Sequence, residues 1–232
     1  MNTDNRKQVW NSNHNLLKSI ITKKDKFDEA IALCLRQHAM VHLSEVSQID
    51  ETTFEDDLWD NLSDAAFRTM PSPKDEATIA WCLWHLSRIE DITMNILIAD
   101  DIQVINSDNW LEKMKVDICD TGNAMTNEEI IDFSLKIDMQ ELKNYRKAVG
   151  RKTREIIKGL DPSDIKKKME ASRLQRILDE GAVLDVEASK WLIDFWGRKN
   201  TAGILLMPIT RHNIVHLNEA MQLKEKCKRL SR

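Results

Sequence analysis

Apolar residues recur at three- and four-residue steps along most of this 232-residue chain, the spacing that lays a stripe down one side of a helix. From about Asp25 to Ser47 the stripe passes through Phe27, Ile31, Cys34, Leu35, His38, Val41, His42 and Glu45, which predicts one amphipathic helix. A segment near 5–22, with Val9, Trp10, Leu16, Leu17, Ile20 and Ile21, predicts a shorter packed helix ahead of it. Between about Asp75 and Ala99 the apolar residues nearly encircle the segment, so this helix is expected at the centre of the fold. His85, Glu90 and Asp91 interrupt its apolar surface.

The connections carry their own signals. Residues 48–75 are acidic and lead into Met70-Pro71-Ser72-Pro73, where the prolines disfavour helix. A linker near 100–125 holds the turn-prone runs 106–109 and 120–123. Thr126, with Glu129 three residues on, reads as a capping box opening one long helix to Gly159. The basic segment 163–184 predicts a short helix and a turn at Gly181, residues 185–200 a further helix, and the last helix runs from near Pro208 to about Lys228. Four long helices with substantial connections predict an all-α fold: a four-helix bundle with crossover connections plus short extra helices. It is expected as a single domain over 1–232, with the bundle at about 25–228 behind an N-terminal helical extension at 1–24.

Composition agrees, since 6 glycines and 4 prolines are too few for the turns of a sandwich, a barrel or a glycine-rich nucleotide fold. With 34 basic against 38 acidic residues the net charge is -4, so no nucleic-acid partner is expected. Cysteines 34, 82, 119 and 227 form no CxxC pair and read as reduced core residues. No signal-like or membrane-spanning stretch is evident, and a cytoplasmic protein is expected.

The chemistry lies in the histidines. Of 6, four fall in two HxxxH pairs, His38/His42 and His212/His216, and residues four apart on a helix can converge on one ion. Such a pair also occurs as plain surface or hydrogen-bonded core groups. Asn213 stands where an HExxH motif has its glutamate, so no general base comes from that position. A third ligand must come from elsewhere, and His85 on the most apolar helix is the candidate. His42, His38 and Glu45 are candidates for a further ligand or for the pocket lining, and the two histidines also for core hydrogen bonds, with His42, beside Glu45, favoured over His38. Glu219 is either a partner of His216 or a surface charge, and Glu90 and Asp91 could orient His85 or Arg88, a structural ion pair being the expected role. Trp81, Trp84, Trp191 and Trp196 are expected in the core.

The motifs WCLWHLSRIEDITMN (81–95) and MPITRHNIVHLNEA (207–220) resemble those of the DinB-like superfamily of helical-bundle metalloproteins. The resemblance implies a three-histidine site at His85, His212 and His216 for a divalent metal, nickel or zinc first, with iron or manganese also compatible. Relatives include thiol-dependent transferases and a maleylpyruvate isomerase that use low-molecular-weight thiols. The implied function is a metal-dependent enzyme, a thiol-dependent S-transferase or a related hydrolase or isomerase, with a small-molecule substrate. The alternative is a non-catalytic bundle that binds metal or a small molecule, and in either case a homodimer is expected. The second HxxxH pair and the N-terminal extension set this chain apart from the thiol-using relatives.

Overall fold

The structure, a computed structural model, describes residues 3–230, and their regular structure is helical, with a lone bridge between Lys168 and Asn200. The centre is the helix Ile79–Asp91, capped by the Thr78 hydroxyl, which accepts from Trp81 N–H. Every residue in it except Trp81 is buried. It packs against the long helix Met139–Gly159 on one side and the last helix, His212–Leu230, on the other. The helix Phe27–Ala39 lies against Met139–Gly159, and the N-terminal helix Thr3–Ile20 packs on Phe27–Ala39. Among the described residues no helix is long and apolar enough to cross a membrane.

Two apolar clusters fill the interior. One gathers Val41, Leu83, Trp84, Tyr145, Val149 and Leu217; the other gathers Cys34, Ile89, Ile92, Ile157, Trp196 and Ile209. His38 lies between Cys34 and Val41, and His212 and Asn213 between Ile209 and Ile214. In the chain these polar residues fall where one cluster gives way to the other.

Several helices are shorter or longer than their stripes suggest. The 25–47 stripe breaks after Ala39 and resumes only at Ser44–Ser47. The carbonyls this frees are taken elsewhere: Met40 O accepts from Phe54 N–H (3.0 Å) and Val41 O from Arg146 Nη2 (2.8 Å). The 126–159 helix is two helices, Asn127–Lys136 and Met139–Gly159. Its Thr126–Glu129 capping box is present, and Asp138 restarts the chain by accepting from Gln140 and Glu141 N–H. The central helix starts at Ile79 rather than near Asp75, and runs on as a π-helix over Ile92–Ala99, ended by Asp100 in the left-handed region.

The last helix starts early. Asn200 caps the helix Thr201–Leu206, which continues through a π-turn at Met207–Arg211 into His212–Leu230. Pro208 sits inside the π-turn, where its missing N–H costs no regular helix bond, rather than opening a helix. The acidic connection also holds two short helices, Phe54–Trp59 and Asp64–Arg68, capped by Thr53 and Ser63.

Candidate metal centre

The linker after the central helix returns along it as a strap. Four consecutive carbonyls, from Cys119, Asp120, Thr121 and Gly122, accept from Arg88 Nε (2.8 Å), Trp84 Nε1 (3.0 Å), His85 Nδ1 (2.9 Å) and Trp81 Nε1 (3.1 Å). The strap turns at Gly122, whose φ of +74° suits glycine, and a Cβ there would lie 2.9 Å from Trp81 Nε1. The turn-prone run in the sequence thus becomes the element that orients His85.

His85 and His212 face one another with their Nε2 atoms 3.1 Å apart, and His216 closes the group. The candidate ligand atoms of all three lie within 4.8 Å of one another. His85 Nδ1–H donates to Thr121 O, and His216 Nδ1–H donates to Glu219 Oε2 (2.7 Å). The neutral form of either ring, bonded in this way, keeps its Nε2 lone pair for an electrophile. Burial, then the nearby His216, pushes the His85 pKa down to about 3, and burial with both neighbouring rings holds His212 well below its usual range. Trp81 stacks on His85 at 4.9 Å and 5°, fixing the ring plane.

These residues fit a divalent ion. Ligand nitrogens about 2.1 Å from one ion stand roughly 3.0–3.4 Å apart, and the His85–His212 spacing of 3.1 Å falls in that range. The rings of His85 and His212 are neutral and turn nitrogens toward each other, and buried His212 Nδ1 has no hydrogen-bond partner. An imidazole-only donor set suits nickel and zinc and is compatible with iron or manganese.

His38 and His42 do not join this group. Phe27–Ala39 ends between them, yet their rings stack at 4.3 Å, and both donate from Nε2 to Glu90: His38 to Oε1 (2.8 Å) and His42 to Oε2 (2.9 Å). Asn213 Nδ2 adds a third bond to Glu90 Oε2 (3.1 Å). All four residues are fully buried. Burial pushes the His42 pKa down to about 3, Glu90 opposing, so the ring stays neutral. Burial alone would raise the Glu90 carboxyl, but the His42 and His38 bonds outweigh it and keep it well below the usual carboxylate range. Beside them Arg146 pairs with Glu55 (2.9 Å) and donates to Asn213 Oδ1 (2.9 Å).

Glu90 therefore clamps the second histidine pair, while His85 is oriented by Thr121, and Asp91 pairs with Arg88 at 2.8 Å and accepts from Tyr145 (2.6 Å). Glu45, a candidate ligand from the sequence, is instead exposed and pairs with Lys147 (3.2 Å), because the helix interruption before Ser44 turns it away from His42. Sequence reasoning did not single out Thr121, which bonds His85, Glu55, which lies 3.8 Å from His42 Nδ1, or Asn213 and Arg146, which bond Glu90 and Glu55. The displaced glutamate of the HExxH pattern was the visible signal for Asn213.

A cavity of about 260 Å³ opens onto the three histidines. Its walls are Trp81, Trp191, Phe195, Trp196, Met207 and Pro208. Trp84 and Trp196 are buried as expected for core residues, but Trp191 is 51% exposed at the edge of this cavity.

A conserved protein of Enterococcus faecalis, known from its crystal structure, shares this fold with a TM-score of 0.57 at 18% identity, over 84% of this chain and 95% of that one. No curated protein sequence matches the chain. The family model of the DinB superfamily matches residues 56–220, a span that includes His85, His212 and His216, and the chain belongs to that superfamily.

Proposed function

We propose that the protein is a divalent-metal-dependent enzyme in which His85, His212 and His216 hold the ion and the adjoining aromatic cavity holds a small-molecule substrate. The observation that carries this reading is the convergence of the three imidazoles, two of them fixed through Nδ1 by Thr121 O and Glu219. A divalent ion supplies a Lewis acid that favours the deprotonated form of a thiol or water. The chain's own part is to orient the ligands and to keep an apolar wall beside them. Thiol-dependent S-transfer is the reaction we favour, on the strength of the family resemblance.

Elemental analysis of purified and reconstituted protein tests the site: about one transition-metal ion per chain is expected, and its loss in His216→Ala. Protein that takes up no ion after reconstitution overturns the assignment. For the transfer, consumption of free thiol with an electrophile is measured against the same variant. Tight metal uptake without thiol loss favours the metal-binding alternative.

A further inference from the structure

Among the described residues, the cavity beside the three histidines is lined by no Lys, Arg, Asp or Glu, and apart from the histidines and the indole N–H groups its one polar side chain is Asn123. Lys199 places its Nζ 4.2 Å from the centre of the Phe195 ring but does not line the cavity. Burying an anion without a counter-ion or hydrogen-bond partners is costly, so the walls select against carboxylates and phosphates. Their aromatic surfaces favour flat apolar bodies, which gain from both burial and ring stacking. A cavity near 150 Å³ takes benzene, so 260 Å³ accommodates one or two rings.

Trp191 marks the entrance. It lies on the helix Glu187–Gly197, half exposed, with its Nε1 donating to Ala188 O (3.2 Å) and its ring 6.2 Å from Phe195 in an edge contact. An exposed tryptophan beside a cavity presents a large apolar face at low conformational cost.

We propose that this site takes an uncharged, ring-sized apolar molecule carrying one donor atom for the metal end, and that Trp191 is a specificity-determining residue for it. The role of the histidines rests on the metal reading above; the selectivity of the walls does not. Anionic thiol cofactors, with several carboxylates, match this cavity poorly, and the electrophilic partner or a small neutral thiol matches it better.

The test titrates the full chain calorimetrically with 1-naphthol and with 1-naphthoate, in chelator-stripped and in metal-reconstituted form. In the stripped protein 1-naphthol is expected to bind once per chain, at least ~10-fold tighter than the anion, because the lining offers the carboxylate no Lys or Arg and, beside the histidines, only the Asn123 amide. Trp191→Ala, at an exposed position, should weaken 1-naphthol at least ~5-fold. Trp191→Arg should narrow or reverse the preference by placing a cation at the mouth. Equal or tighter binding of 1-naphthoate to stripped protein, undetectable 1-naphthol binding, or indifference to Trp191→Ala each overturns the proposal. Metal content measured on the same samples separates the two readings. Selective 1-naphthol binding without metal uptake sinks only the metal site, and metal uptake without that selectivity sinks only the substrate class.

Discussion

Asn213 donates its amide to Glu90 Oε2 at 3.1 Å, so the residue directly after one candidate ligand is tied to the helix that carries another. The same amide donates to Pro208 O (3.1 Å) and Ile209 O (3.3 Å), two carbonyls of the π-turn, and its oxygen accepts from Arg146. One side chain thus links the turn that precedes His212, the clamp on His38 and His42, and the long helix.

Replacing Asn213 with Leu keeps the volume and removes these bonds. We expect a loss of roughly 2–4 kcal/mol in urea unfolding, because Arg146 and Glu90 each lose a buried partner. Metal affinity, read by competition with a chromophoric chelator, should fall about 10–100-fold. Unchanged values in both measurements would show that the link does not position His212.

Acid should destabilise the metal-free protein well above the pH at which most carboxylates titrate. His42 is neutral when folded, because burial pushes its pKa down to about 3 from the ordinary 6.5. The unfolded chain therefore binds the extra proton as pH falls below 6.5, and stability is lost from there down to about pH 3. Between roughly pH 7 and 5 this single group costs on the order of 2 kcal/mol. The depressed carboxyl of Glu90 acts in the same direction at lower pH. His42→Gln, which retains an N–H for Glu90, should flatten the slope in that window, and an unaltered slope refutes the assignment.

Gly150 lies within the helix Met139–Gly159, where glycine costs about 1 kcal/mol relative to alanine. A Cβ there would meet His42 Nδ1 at 2.7 Å and Val46 Cγ1 at 3.1 Å. Gly150→Ala should therefore lower stability by about 1–2 kcal/mol despite its better helix propensity, the overpacking outweighing the gain. A stabilised variant would mean that the His42 ring yields freely.

Lys224 is buried on the last helix and donates its ammonium to the carbonyls of Asp57 and Leu58, both at 2.9 Å, and of Asp60. These lie at the C-terminal end of the short helix Phe54–Trp59, where backbone oxygens lack partners. Lys224→Met should cost roughly 2 kcal/mol in thermal or urea unfolding. A change under about 0.5 kcal/mol would place that helix end in water rather than against the lysine.

The all-α character and the central helix were legible because the 79–98 stripe and the Thr126–Glu129 pair report on local structure. His85, His212 and His216 could be named from motif spacing and family resemblance. The breaks at Met40 and Ile137 were not legible, since each depends on partners distant in sequence: Phe54 and Arg146 for the first, Met114 and Arg68 for the second. The caps Thr53 and Ser63 open helices of only six and five residues, too short to show an apolar stripe of their own. Glu90 was misplaced for a related reason: helical spacing relates it to Arg88 and His85, while its bonds run to a different helix and to the turn that follows it.

The π-turn at Met207–Arg211 sets the rotational phase of everything after it. Each residue advances a helix by about 100°, and the wider turn absorbs one residue more than an α-turn would. Closing this segment as a regular α-helix with all its residues kept would swing His212 and His216 by up to about 100° away from His85, whereas deleting one residue between 207 and 211 would let the helix close with their phase nearly kept. The seating of Thr201–Leu206 would remain. Ligand convergence in this chain therefore depends on a residue count as well as on residue identities: a one-residue deletion inside the π-turn should be tolerated far better than the same deletion between Thr201 and Leu206, which the α-helix there cannot absorb.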